Sequence, residues 1–194
     1  MWLRISLIAS VLTPVLHCTV LAISGQDVIA TPISELSRGA WGGLHTLGLA
    51  LFGLAHIALA VALKGLDRGR LWPYARALLV ASGAMLFYIA YYFSSAGTDT
   101  LRGAGANDPL WIVASLTGAA MGVLQPGLSR LSRRLGLFSA VCLGLWLWLI
   151  PLILLVDDTW LGAYERLVGI VYVTWMAGVS YGLLQLRDES SAQR

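Results

Sequence analysis

The chain has 194 residues, 58% of them hydrophobic and 12% charged, with a formal net charge of +3 and a mean hydropathy of +0.76. Soluble domains carry roughly 25% charged residues, so 13 basic and 10 acidic side chains cannot cover a soluble surface of this size. Two cysteines cannot staple a secreted disulfide scaffold, and the abundance of large apolar residues excludes disorder, which leaves an integral membrane protein.

A membrane helix needs about 20 mostly apolar residues, and six stretches meet that requirement. The first, 3–24, contains Pro14, His17 and Cys18. Ala22-Ile23-Ser24 before Gly25 resembles a signal-peptidase site, but the apolar run is long for a signal peptide, and an uncleaved span is expected. In the loop after it, Thr31 reads as a helix cap with Pro32 in the first turn. A helix there makes Glu35 and Arg38, three apart, neighbours on one face.

The second span, 40–63, carries Trp41, His45, Gly48, Phe52 and His56 on one stripe, because eleven residues make about three turns. His17 and His45 both lie about 8–10 Å below the outer helix ends. The third span, 74–95, places Tyr88, Tyr92 and Ser95 on one face. Tyr88 is deeper than an interfacial anchor needs to be, and its hydroxyl is at a depth compatible with His45. Asp99 and Arg102 come in the next loop, where Asn107-Asp108-Pro109 reads as the cap of the fourth span, 109–128.

That span has Gly118 and Gly122 in a GxxxG pattern and Pro126 near its end. The fifth, 136–156, holds Cys142, Trp146, Trp148 and Pro151. The two tryptophans are two apart and face different ways, so at least one meets lipid. The sixth, 163–186, opens on Tyr164, Glu165 and Arg166 and contains Gly178 and Gly182. Both GxxxG pairs are read as packing surfaces within the bundle; a homo-oligomer is not supported. Pro14, Pro126 and Pro151 should bend or loosen their helices.

The expected fold is therefore all-α: one polytopic domain over 1–194, a bundle of six transmembrane helices. Six spans put both termini on one side. That side holds ten basic residues against Asp67, Asp188 and Glu189, a net +7. The other holds Arg38, Arg102 and Arg166 against seven acids, a net −4. Basic residues in short loops stay cytoplasmic, which predicts N-in and C-in. The basic residues then set topology and suit an anionic inner leaflet; they do not indicate nucleic acid.

Polar groups in a membrane are costly and invite a reason. Depth and helical phase suggest an outer polar vestibule lined by His17, His45, Tyr88 and Tyr92, with Glu35, Arg38, Asp99, Arg102 and Glu165 at its mouth. Only His17 and His45 share a depth, and no HxxxH, HxxE or CxxC spacing is present, so neither haem nor a metal centre is expected, and no cofactor is assigned. Neutral histidines bonded across helices are the plain structural expectation. Every carboxylate lies near a predicted helix end or in a loop, which counts against an ion pump or channel.

The segment Pro32-Ile33-Ser34-Glu35-Leu36-Ser37-Arg38-Gly39, Gly97-Thr98-Asp99 after the third span, and Ala163-Tyr164-Glu165-Arg166-Leu167 before an aromatic-bearing last helix resemble the prokaryotic six-helix membrane family catalogued as domain of unknown function 998. The likeness runs from about 5 to 186. Trp111 stands near the position where the family pattern has a histidine. The resemblance implies six spans and a bacterial inner membrane, and no established reaction. Three functions stay open. One is binding of a lipophilic or small-molecule ligand in a transport or accessory role, with membrane lipids as neighbours. The second is an intramembrane enzyme using Glu35 or Asp99 as acid, assisted by His45 or Tyr88, on a lipid or isoprenoid substrate. The third is a structural subunit of a membrane complex.

Overall fold

The computed structural model describes residues 1–66, 69–95 and 108–192, with all side chains among them except those of Ser34, Arg38, Ser95, residues 108–110 and Ser191. Six α-helices form: α1 (Trp2–Ser24), α2 (Gly42–Leu63), α3 (Trp72–Ser95), α4 (Asp108–Leu131), α5 (Arg133–Leu152) and α6 (Leu161–Ala192). Short 3-10 helices cover Ile33–Arg38, Lys64–Leu66 and Ile153–Leu155. No strand occurs among the described residues. Each α-helix is long and apolar enough to cross a membrane, and a helix satisfies its own backbone where no water can.

Each helix packs on the next in sequence, and α6 returns to α1, so the six close into a ring. The helices alternate in direction and both termini lie at one end, called here the terminal end; the connections at 25–41 and 153–160 lie at the other, the loop end. α2 is the most enclosed span and also touches α6 across the ring. Small residues permit this closeness: Gly53 and Gly83 pack backbone to backbone between α2 and α3, where an added Cβ would stand 2.9 or 2.7 Å from the facing carbonyl oxygen. Gly178 and Gly182 of α6 face Phe138 and Leu135 of α5, which places that GxxxG pair on a seam inside the bundle.

The core is Leu59, Leu79, Met121, Leu124, Trp175, Met176 and Leu183, all fully enclosed or nearly so. The exterior is equally apolar, with Val11, Val15, Leu147, Trp148 and Ile170 exposed. An apolar exterior and a close-packed interior are what a bilayer solvent requires. Trp146 is buried and Trp148 exposed, in keeping with their spacing.

Two helix ends differ from expectation. α5 stops at Leu152 rather than near 156, because Pro151 sits in its last turn and the chain tightens into a 3-10 turn. Leu149 O, one of the orphan carbonyls at that end, accepts the Tyr164 hydroxyl at 2.6 Å. α6 runs on to Ala192 through Arg187, Asp188 and Glu189, since hydropathy marks where apolar surroundings end and not where a helix ends. At the terminal end, Trp72 Nε1 donates to Leu63 O at 2.9 Å and Arg76 Nε to Ala60 O at 3.0 Å, satisfying the last carbonyls of α2.

Candidate functional site

The loop end is built by the 25–41 connection folding over the start of α6. α1 ends in a left-handed Gly25, φ 64°, a common helix stop. Asp27 then closes a turn by accepting from Ile29 N at 2.7 Å and Ala30 N at 3.2 Å. These two donors hold its carboxyl below the ordinary value of 3.8. Three polar links tie this loop to α6. Ala163 N donates to Ile29 O at 2.8 Å. Arg166 Nη1 donates to Val28 O at 2.7 Å and Thr31 O at 2.9 Å. Glu165 Oε2 accepts from Ile33 N at 2.6 Å.

The last of these corrects the capping expectation. Thr31 does not cap the short helix; Pro32 occupies the cap position and makes no side-chain cap bond. Glu165, 132 residues away, supplies the acceptor instead. A carboxylate suits that place because the first free N–H groups of a helix carry partial positive charge. The segment Ile33–Arg38 is 3-10 rather than α-helical. Glu35 lies on its exposed side, within electrostatic reach of Glu165.

His17 and His45 lie at this end, as their shared depth predicts, with ring centroids 5.5 Å apart and planes inclined at 57°. His45 is 3% exposed. Arg166 is within electrostatic reach of both rings. His17 Nε2, His45 Nε2, Gln26 Oε1, Arg166 Nε and Arg166 Nη2 are all buried without a hydrogen-bond partner. Five of the seven such atoms among the described residues therefore belong to this end of the bundle. Buried polar groups are normally paired, and each left unpaired costs about 1–3 kcal/mol. Their concentration in one place sets this end apart from the rest of the described interior.

Tyr88 and Tyr92 stack on each other, centroids 6.2 Å apart, on the exposed face of α3, and Tyr88 is 53% exposed. The structure thus brings His17, His45 and Glu165 to one end, joined by Gln26 and Arg166, which the sequence did not single out as ligand contacts. Asp99, Arg102 and Asn107 lie outside the described residues, as does the side chain of Arg38.

A second polar group sits in the middle of the ring. His56 Nδ1 contacts Phe52 O at 2.7 Å, and its Nε2 is hydrogen-bonded to the Tyr172 hydroxyl, which is bonded in turn to Thr117. Phe52, Trp146 and His56 pack around the Tyr172 ring with centroids 4.6, 5.1 and 5.2 Å away. This is a histidine bonded across helices, and its polar atoms are satisfied. His56 was legible on the inner stripe of α2; Tyr172 and Thr117 sit in apolar runs without any local signature.

The model of the family described as protein of unknown function, DUF998, matches residues 7–181. The chain belongs to this family. No curated protein and no solved structure matches it. The match takes in α2 to α5 whole and most of α1 and α6 of this DUF998 chain, with the 25–41 loop, His17, His45, His56, and the α6 start with Glu165 and Arg166. Among the described residues no group of three or more His, Cys, Asp or Glu is arranged to hold a metal ion.

Proposed function

We propose that this integral membrane protein binds a small or lipophilic ligand at the loop end of the bundle, in a transport or accessory role. The observation that carries the reading is the set of five buried, unpartnered polar atoms on His17, His45, Gln26 and Arg166. Their side chains come from α1, the loop, α2 and α6, so the site is assembled by the closure of the ring. The charge distribution of the sequence, +7 on the side of the termini and −4 on the other, supports a multi-pass protein of a bacterial inner membrane with the site facing outward. Glu35 is exposed, and an acid open to water lacks the dry pocket that acid-initiated chemistry on a lipid needs. The binding reading therefore carries more than one in which Glu35 serves as a strong acid.

Comparison of the small molecules that co-purify with the wild-type chain and with His45→Phe, extracted from mild detergent and resolved by mass spectrometry, tests the proposal. A species enriched with the wild type and depleted in the variant is expected. Identical extracts would count against a site at this place.

A further inference from the structure

We infer that Arg166, His17 and His45 form a receptor for an oxyanion, a carboxylate or phosphate group, at the loop end of the bundle. The inference rests on the reading of this end as a binding site and gives its ligand a chemical class.

The guanidinium of Arg166 is divided between two tasks. Nη1 is committed to the carbonyls of Val28 and Thr31, and these two bonds fix the plane of the group. The opposite edge, Nε with Nη2, is buried and unpartnered. That edge is a two-pronged donor whose spacing matches two oxygens of a carboxylate or phosphate. A guanidinium cannot accept a hydrogen bond, so only an acceptor can satisfy it. Four of the five unpartnered atoms at this end are nitrogens. A neutral imidazole can present Nε2–H to the same acceptor, and both histidines hold Nε2 without a partner. Glu165, the nearest carboxylate in sequence, spends Oε2 on Ile33 N. A cation would meet Gln26 Oε1 and a fixed positive charge, and is the poorer match.

Two sources could supply the oxyanion. One is a small soluble anion arriving from the loop end. The other is the headgroup of an anionic amphiphile. An open apolar groove of about 420 Å3 lies on the same α1–α6 seam, lined by Leu7, Val11, Pro14, Val173, Ala177 and Tyr181 among others.

The test uses the full chain in detergent and four probes: inorganic phosphate, octanoate, dioctanoyl phosphatidic acid, and uncharged dioctanoylglycerol. Binding is read by native mass spectrometry and calorimetry. At least one anionic probe should bind, and Arg166→Lys should weaken it at least tenfold, since lysine keeps the charge and loses the fork. Phosphate or octanoate binding assigns the soluble source, and phosphatidic acid binding alone assigns the headgroup; both support the inference. If Arg166→Lys lowers the melting temperature, the wild type decides, because phosphatidic acid should bind at least tenfold tighter than dioctanoylglycerol. Undiminished anion binding by a folded Arg166→Lys, no binding of any anionic probe, or phosphatidic acid binding no tighter than dioctanoylglycerol when neither phosphate nor octanoate binds overturns the inference. The binding reading would survive each of these outcomes provided a co-purifying species is still lost in His45→Phe, so the two failures are separable.

Discussion

Substituting Tyr172→Phe removes one hydroxyl from the centre of the ring. Phe52 O can only accept, so His56 Nδ1 carries the proton in their 2.7 Å contact. His56 Nε2 is then the acceptor, and the Tyr172 O–H donates to it. Without the hydroxyl, Nε2 has no donor, and His56 is fully buried, so water cannot replace it. Thr117 loses less, because Ser82 Oγ lies 3.5 Å away as an alternative acceptor. The phenyl ring keeps its packing against Phe52 and Trp146, so no cavity larger than the hydroxyl opens. An orphaned buried acceptor costs about 1–3 kcal/mol, whereas hydrogen bonds within membranes average about 0.6 and reach about 1.7 kcal/mol. The overlap predicts a loss of about 1–2 kcal/mol, measurable by reversible unfolding of the full chain in mixed micelles. Adding His56→Phe to Tyr172→Phe removes the stranded acceptor as well, and the double variant should cost less than the sum of the two single changes. Wild-type stability in Tyr172→Phe, or simple additivity in the double variant, would refute the proton assignment along this chain.

Four further outcomes are expected from the loop end and the topology. Glu165→Leu strands Ile33 N and should cost about 1–3 kcal/mol in the same unfolding assay; an unchanged midpoint would show that the cap contributes nothing. Gly162→Ala would place a Cβ 2.3 Å from Thr31 O, and an overpacked contact against backbone should cost about 1–3 kcal/mol, read as a lowered melting temperature. The Asp27 carboxyl is held below its ordinary value by two backbone donors, so its turn contributes in full at neutral pH and is lost only as pH falls through that depressed value. The stability difference between wild type and Asp27→Asn should therefore be flat above about pH 5 and shrink in acid; a difference that changes between about pH 6 and 8 contradicts the assignment. In a background lacking Cys18 and Cys142, Val28→Cys and Asp158→Cys should react with an impermeant thiol reagent on intact cells and Lys64→Cys only after lysis, and the reverse pattern would invert the proposed orientation.

The six helices were legible because each apolar run exceeds the thickness of a bilayer, and a run that long has one stable solution in lipid. The pairing of His17 with His45 was legible for a related reason: depth along two antiparallel neighbours is counted directly from their shared connection. Tyr172 with His56 could not be counted in this way. They are 116 residues apart, and their meeting depends on α6 closing against α1 and reaching α2 across the ring, which no spacing within one helix encodes. Glu165 and Arg166 look like ordinary charges opening a helix. Adjacent helical positions point about 100° apart, and that divergence lets Glu165 serve Ile33 N while Arg166 reaches the carbonyls of Val28 and Thr31. The roles belong to the loop laid over them, and the loop's path is a tertiary fact.

The two histidine-bearing polar groups of this bundle are provisioned in opposite ways, and the contrast bears on the proposed site. At the centre, the polar atoms of His56, Tyr172 and Thr117 are partnered by one another or by backbone, and aromatic rings close around them. A satisfied network in low dielectric rigidifies the packing and asks for nothing further. At the loop end, the chain spends one nitrogen of Arg166 and one oxygen of Glu165 on holding the loop. It leaves two other guanidinium nitrogens and both imidazole Nε2 atoms buried without partners. Histidine is common to both groups, and the centre shows that this fold can satisfy one completely. A fold able to satisfy its central histidine completely retains four unpaired nitrogens at one end, and that imbalance is the ground of the proposal that an acceptor from outside the chain binds there.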